Sequence, residues 1–532
     1  MSPFLASCRD ARAPKRMTLR IDRRPVPPPS SWRVALIVAA CSVATGASPL
    51  DAGKQQLASG HGHSRRSGFL RGMLGADGDL GLVSAAPSSV LELSAAKGFS
   101  GSCATLDNKG SHFTVEIGVG TPEQKFEVVA DTGSNNIIIP SCVCVDVTHH
   151  CSKQDHCFTG TNRSSTFVPP PPHSPLIIIS FGSGEIEAAV ATDVVRVGEK
   201  AVTMTNGVLL MVDRALDMQG PFEGILGLGV PQLFSNRQMQ LMSSSIDSQF
   251  ISKADVSRFS LCFNDGSKPG ALRLEVPAAP GALLAMQGAT HWSLDFKGFS
   301  VGSASAPAQM CSGTNATTAC NAIPDSGTTL MMGPREQIIS VFQEICDRWP
   351  RCMRAAANST VDKAMIFQEI LMDCETWLTK DEGLNEVPSL FINLVGADGQ
   401  KQVLELTGWA YITETLRPDV EIVTKHLGNI FPVKVAIAKG TKSRVCTPSF
   451  GQMDFETGGV TAWILGTPLF YEYQVVFGRQ PPSIGFTKEA CDSCSDAASA
   501  GLLSSSVVSG ARPPRRLAVP PRVPWPSSGF VD

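Results

Sequence analysis

Residues 121–141 read TPEQKFEVVADTGSNNIIIPS, and residues 321–334 read NAIPDSGTTLMMGP. Each stretch carries an apolar, strand-like run into a short turn: Asp131-Thr132-Gly133 in the first, Asp325-Ser326-Gly327 in the second. An Ile-Leu-Gly follows each of them, at Ile225-Leu226-Gly227 and at Ile464-Leu465-Gly466. A chain of this size holds one Asp-Thr/Ser-Gly by chance about a quarter of the time, and Asp and Gly favour ordinary turns. Two of them, each entered from a strand and each followed by the same tripeptide, describe a duplicated unit instead.

The surrounding pattern predicts the kind of fold that holds this unit. Short alternating runs such as HFTVEIGVG (112–120), QKFEVVA (124–130), LIIISFG (176–182) and AVTMTNGVLLMV (201–212) are punctuated by Gly and Pro. That rhythm predicts an all-β architecture. Two helical stretches interrupt it. One follows Gly333-Pro334, with Ile338, Ile339, Phe342 and Ile345 on a single face, and the other spans roughly 361–373.

Charge is distributed unevenly along the 532 residues, whose net value is −3. Residues 1–47 carry eight Lys/Arg against two Asp/Glu, and 497–532 carry four Arg against one Asp, so residues 48–496 sit at −12. A body that acidic offers no basic footprint for nucleic acid. Within the basic leader, the run VALIVAACSVATGA (34–47) has the length of a signal-peptide core and is short for a membrane span. It predicts either a signal cleaved after Ala47 or an uncleaved anchor, the only route by which a membrane association is expected. Sixteen cysteines, two of them in the leader, then predict disulfides in an oxidising secretory compartment. Asn162, Asn315 and Asn358 open Asn-X-Ser/Thr sequons and are glycosylation candidates.

Together the motifs bring the chain to a family. Thr121–Ser141 and Asn321–Pro334 resemble the two active loops of pepsin-like aspartic proteases, and FEGILGLG (222–229) resembles the strand behind the first. WILGTPLFYEYQVVF (463–477) and 483–486 resemble the closing strands of the C-terminal lobe; the resemblance runs from about 110 to 490. It implies a bilobal all-β fold with pseudo-twofold-related lobes and a long cleft between them. The implied divisions are a signal or anchor (1–47), a prosegment (48–95), an N-terminal lobe (96–288), a C-terminal lobe (289–495) and a structureless tail (496–532). His61, His63, Arg65, Arg66 and Arg71 are the cations such a prosegment would place in the cleft of a zymogen.

The implied reaction is hydrolysis of peptide bonds by a water held between Asp131 and Asp325, one from each lobe. Two carboxyls held close together share one proton, and pepsin is the type case of this behaviour. The ionised partner takes a proton from the water while the protonated partner polarises the substrate carbonyl. Thr132 and Ser326 are expected to hydrogen-bond across to the opposite loop. Ser134 and Thr328 are expected to donate to the outer carboxylate oxygens, and Gly133 and Gly327 to allow the tight turn.

The expected flap, Ser180-Phe181-Gly182-Ser183-Gly184, departs from the family, which usually has Tyr at position 181 and a Trp partner at position 138. Here those positions are Phe181 and Ile138, so both partners of the usual hydrogen bond are missing together and no donor is stranded. Cys142, Cys144, Cys151 and Cys157, interleaved with histidines, hold the atom types for zinc. The family places a disulfide-bearing loop at that point, which implies two bridges among the four and no metal. By the same resemblance Cys311 pairs with Cys320 and Cys374 with Cys446, while Cys346 with Cys352 is a local pairing; Cys103, Cys262, Cys491 and Cys494 stay unassigned. The expected partners are peptide or protein substrates, with no cofactor and a monomeric chain. The competing reading is a weak or inactive homologue that binds peptides without cutting them.

Overall fold

The computed structural model describes residues 101–494, apart from short breaks, together with Arg515 and Arg516. The leader, the prosegment, Gly182, Ser183, Asn315 and the rest of the tail lie outside the described residues.

The duplicated unit is the centre of the architecture. Strand Gln124–Asp131 runs parallel to Gly224–Gly227, with Asp131 opposite Gly227. Gly224–Gly227 in turn pairs antiparallel with Ile137–Pro140, the strand that leaves the first turn. The same figure recurs at the second turn. Cys320–Pro324 runs parallel to Val460–Leu465, which pairs antiparallel with Met331–Gly333. Each Ile-Leu-Gly is thus the strand that crosses behind an Asp turn. The glycines that end these tripeptides are required by close approach. A Cβ on Gly227 would lie 2.3 Å from the Asn136 amide nitrogen, and one on Gly466 would lie 2.2 Å from the Leu330 carbonyl oxygen.

Around these units lie a 13-stranded and an 8-stranded sheet. The larger one holds the first Asp turn and closes on itself where Phe113–Val119 pairs with Gly184–Val197. It also takes in Gln474–Arg479 and Pro482–Thr487, which sequence similarity assigned to the closing of the C-terminal lobe. These two strands pair onward to Arg258–Cys262 and Leu283–Leu284, so both halves of the chain share one sheet.

Alternation along the strands places the core. In Phe113–Val119 and Gln124–Asp131, Val115, Ile117, Phe126 and Val128 are buried against Ile137 and Ile139. Each such side chain contributes about 1.5–3 kcal/mol on leaving water. In the second unit, Trp463 is fully buried among Phe296, Phe299 and Phe450, and its indole donates to Gln337 at 2.7 Å. Gln337 belongs to helix Arg335–Arg348, which follows Pro334 as the sequence indicates and buries Ile338, Val341, Phe342 and Ile345. A second helix, Lys363–Met372, starts where Asp362 caps the Ala364 amide at 2.8 Å. Between them sits Pro350–Ala356, a helix that the apolar pattern did not indicate, held by the Cys346–Cys352 bridge.

All seven bridges of the described chain are formed. Cys311–Cys320 and Cys374–Cys446 pair as the resemblance implies, and the loop after the first Asp turn closes as Cys142–Cys157 around Cys144–Cys151. The four unassigned cysteines pair as Cys103–Cys494 and Cys262–Cys491. Both tie the end of the described body to strands of the larger sheet. Replacing Cys103 and Cys494 together by Ser is expected to cost about 2–5 kcal/mol, read as a lower midpoint in denaturant. An unchanged midpoint would show that this closure constrains nothing.

Candidate active site

Asp131 ends its strand and Asp325 follows the last residue of its own, so the crossing strands bring the two turns face to face. The contact is reciprocal. The Thr132 amide donates to Ser326 Oγ and the Ser326 amide to Thr132 Oγ1, both at 3.0 Å. Each hydroxyl then donates onward, Thr132 Oγ1 to the Pro324 carbonyl at 2.9 Å and Ser326 Oγ to the Ala130 carbonyl at 2.7 Å. Thr132 and Ser326 are fully buried, so each of these bonds satisfies a group that water cannot reach.

The two carboxylates are held by the same local pattern. Gly133 N–H donates to Asp131 Oδ1 and Gly327 N–H to Asp325 Oδ1, both at 2.9 Å. Ser134 Oγ donates to Asp131 Oδ2, and Thr328 Oγ1 donates to Asp325 Oδ2 at 2.6 Å. The carboxyls face one another within hydrogen-bonding reach, each 8% exposed. Space for this approach exists only because the turn residues lack side chains. A Cβ on Gly133 would lie 2.6 Å from Asp325 Oδ2, and one on Gly327 would lie 2.4 Å from Asp131 Oδ1.

Burial first, and then the facing Asp325 carboxylate, push Asp131 well above the ordinary carboxylate range; the Ser134 hydroxyl pulls the other way. Asp131 therefore keeps its proton to higher pH than an isolated carboxyl does.

Several supports of this site are not legible in the motifs. Thr467 donates from its amide and its hydroxyl to the Thr328 and Thr329 carbonyls, both at 2.8 Å. On the other side, the Leu228 amide donates to the Asp131 carbonyl at 2.7 Å, and the Trp292 indole donates to the Leu228 carbonyl at 2.9 Å. Beside Trp292, burial lowers the affinity of His291 for a proton, and the Asp325 charge opposes that shift. These contacts join residues far apart in sequence, so no local spacing announces them.

Of the flap residues, Phe181 ends strand Ile177–Phe181, which folds back on Gly184–Val197. Its ring is half-buried against an apolar cluster that contains Ile138, Ile177, Ile186, Leu209 and Met211. Ile138 is 1% exposed in the same cluster, so both positions carry hydrocarbon here. The double-bridged loop packs under it, with Cys144 and Cys151 in the cluster. Asn162 and Asn358 are exposed on turns.

Comparison with known proteins agrees with this geometry. A family model described as "Eukaryotic aspartyl protease" matches residues 112–382. The chain is 27% identical over 385 residues to cathepsin D of Chionodraco hamatus, covering 70% of this chain and 80% of that protein. It is 25% identical over 407 residues to cathepsin D of Bos taurus, with 70% and 84% covered. Against pepsin A of Sus scrofa it is 25% identical over 383 residues, with 70% and 80% covered. The chain belongs to the eukaryotic aspartyl protease family.

Proposed function

We propose that this chain is an aspartic endopeptidase in which Asp131 and Asp325 activate one water between them. The observation that carries the reading is the symmetry of the site: each carboxylate receives one amide and one hydroxyl donor, and each loop is bonded to the other. A pair that is buried, mutually repelling and equally supplied with donors is stable with one shared proton. The ionised member removes a proton from the water as its oxygen attacks the scissile carbonyl carbon. The protonated member donates to the carbonyl oxygen, giving a neutral tetrahedral diol. Collapse returns a proton to the departing amine, breaks the C–N bond and leaves a carboxyl on the other product.

Peptides or proteins are the substrate class, bound along the cleft between lobes 96–288 and 289–495 beneath the Phe181 hairpin. Phe181 lines the apolar side of that cleft and Ile138 supports it from below. Phe181→Ala is expected to lower kcat/KM about tenfold through KM, without loss of folding. The zymogen reading assigns 48–95 to a prosegment whose cations occupy the cleft until acid expels them. Seven disulfides fit synthesis in the secretory pathway. Among the described residues no helix is long and apolar enough to cross a membrane.

Titration with a statine-type inhibitor, whose hydroxyl imitates one oxygen of the diol, tests the reading. Activity is expected to fall linearly to zero at one inhibitor per chain. Peptide cleavage that persists at saturating inhibitor would refute it.

A further inference from the structure

Arg515 lies in the tail beyond Cys494, yet its side chain is buried in the body, 5% exposed. Among the described residues no other Lys or Arg is buried. An arginine is almost never taken out of water unless its surroundings supply partners. Here the partners are built in. In helix Gly408–Tyr411 the Gly408 carbonyl accepts from the Ile412 amide, and the Tyr411 carbonyl accepts from the Ser449 amide. The two carbonyls between them receive the guanidinium. Arg515 Nε donates to the Trp409 oxygen at 3.2 Å, and Nη2 donates to the Ala410 oxygen. Its Cζ lies 4.1 Å from the centre of the Tyr471 ring and 5.5 Å from that of Trp409, within cation–π range of both.

The walls of this pocket are also held by neighbours other than Arg515. Asn108 Nδ2 donates to the Tyr471 hydroxyl at 3.3 Å, and Phe113 and Phe263 meet the Tyr471 ring edge-on. Glu472, itself buried, accepts from Thr407 Oγ1 at 2.5 Å. Burial disfavours the charged guanidinium, and Tyr471, Glu472 and Asp265 oppose that effect. The backbone adds a second form of recognition. Arg515–Arg516 runs parallel to strand Ile412–Leu427, with Arg515 opposite Thr413 and Arg516 opposite Glu414. Extended segments that join a sheet edge take affinity from main-chain bonds and specificity from a side-chain pocket. This pocket suits a guanidinium. A flat cation can lie on the Tyr471 face while its edge donates to two carbonyls, which an ammonium cannot do. The tail, with four Arg against one Asp over 497–532, also carries the sign opposite to the body at −12.

We propose that Trp409, Ala410, Tyr471 and Glu472 form a docking site for an arginine on an extended segment, with the chain's own Arg515 as its occupant. The site holds the tail to the body at this point, and another arginine-bearing strand can enter only when Arg515 leaves. None of these residues belongs to the Asp131–Asp325 site, and the proposal does not depend on the cleavage reading.

The experiment measures, by fluorescence anisotropy, binding of a labelled peptide of residues 510–519 (GARPPRRLAV) to the full chain. A saturating statine-type inhibitor is present throughout, so that peptide held in the cleft does not contribute. A tethered segment acts at an effective concentration of about millimolar, so the wild-type tail should keep the peptide out. Arg515→Ala in the chain empties the pocket and is expected to tighten peptide binding at least about tenfold over the wild type. Arg515→Lys in the peptide is expected to weaken that binding at least about tenfold. A second measurement does not need the alanine chain to fold. In full-length Arg515→Lys, amide hydrogens of 409–414 and 515–516 are expected to exchange at least about tenfold faster than in the wild type. Equal peptide affinity for the wild-type and Arg515→Ala chains, or no binding to either, would overturn the proposal. So would equal affinity for the arginine and lysine peptides, or unchanged exchange in Arg515→Lys. A wild-type dimer that becomes monomeric in Arg515→Ala would place the occupant on a second copy and overturn the assignment to the chain's own tail.

Discussion

Asn in place of Asp131 is expected to leave the chain folded and to reduce kcat/KM for peptide hydrolysis by at least about 10⁴-fold. The reaction needs a base for the water and an acid for the carbonyl oxygen, and the shared proton lets one pair be both. Asn keeps the volume and can still accept from the Gly133 amide, but it can take no proton from water at any working pH. The same substitution carries a stability signature that a purely structural residue would not show. Asp131 is raised above its unfolded value, chiefly by burial and then by the Asp325 charge. The folded state therefore binds this proton more tightly than the unfolded chain does. That stabilisation is complete below the unfolded pKa and is lost as pH rises through the folded one. Between pH 4 and neutrality the wild type should lose thermal stability through this group, and Asp131→Asn should not. Thermal midpoints at both pH values for the two proteins check it; equal slopes would mean that the carboxyl is not in this environment.

Gly327→Ala carries the second large effect. Its new methyl would start 2.4 Å from Asp131 Oδ1, well inside contact distance, on a carboxylate that the Gly133 amide holds at Oδ1 and the Ser134 hydroxyl at Oδ2. The loops cannot simply part, because Thr132 and Ser326 bond them reciprocally beneath the carboxyls. Overpacking of this kind costs about 1–3 kcal/mol, and displacing reacting groups by about 1 Å costs about 10² in rate. The expected result is a loss of about 10²-fold in kcat with a lower thermal midpoint. Alanine at Gly281, where nothing lies within 4 Å but φ is +65°, should lower the thermal midpoint and spare kcat, which makes it the control for a strained glycine outside the site. A Gly327→Ala protein with wild-type kcat would show that the carboxyls do not meet as described.

The site was legible in the sequence to the extent that its chemistry is local. The donors to each carboxylate lie two and three residues beyond it, so Asp-Thr/Ser-Gly-Ser/Thr spells out the carboxylate, its amide and its hydroxyl in order. The duplicated strands were legible through Ile-Leu-Gly, since the crossing strand needs apolar residues and a glycine. Legibility ends where partners are distant. Cys103 and Cys494 are separated by 391 residues, and no spacing rule connects them. Trp292 reads as an ordinary core tryptophan until its indole is seen on the Leu228 carbonyl. Strands Ile412–Leu427 and Phe431–Pro448 escaped notice because Pro418 and scattered charges break the alternation that marks a half-buried strand. Gln474–Arg479 and Pro482–Thr487 were readable as strands but not as members of the larger sheet, because register across 200 residues leaves no trace in either segment.

The central claim is that Asp131 and Asp325 act as one proton-sharing pair. Its most direct measurement is kcat/KM on a single peptide across the acid and neutral range, for the wild type, Asp131→Asn and Asp325→Asn. The wild type should give a bell, falling at low pH as both carboxyls protonate and at high pH as the shared proton leaves. Both variants should lie at the uncatalysed baseline throughout. Cleavage that survives in either variant at any pH would contradict the account.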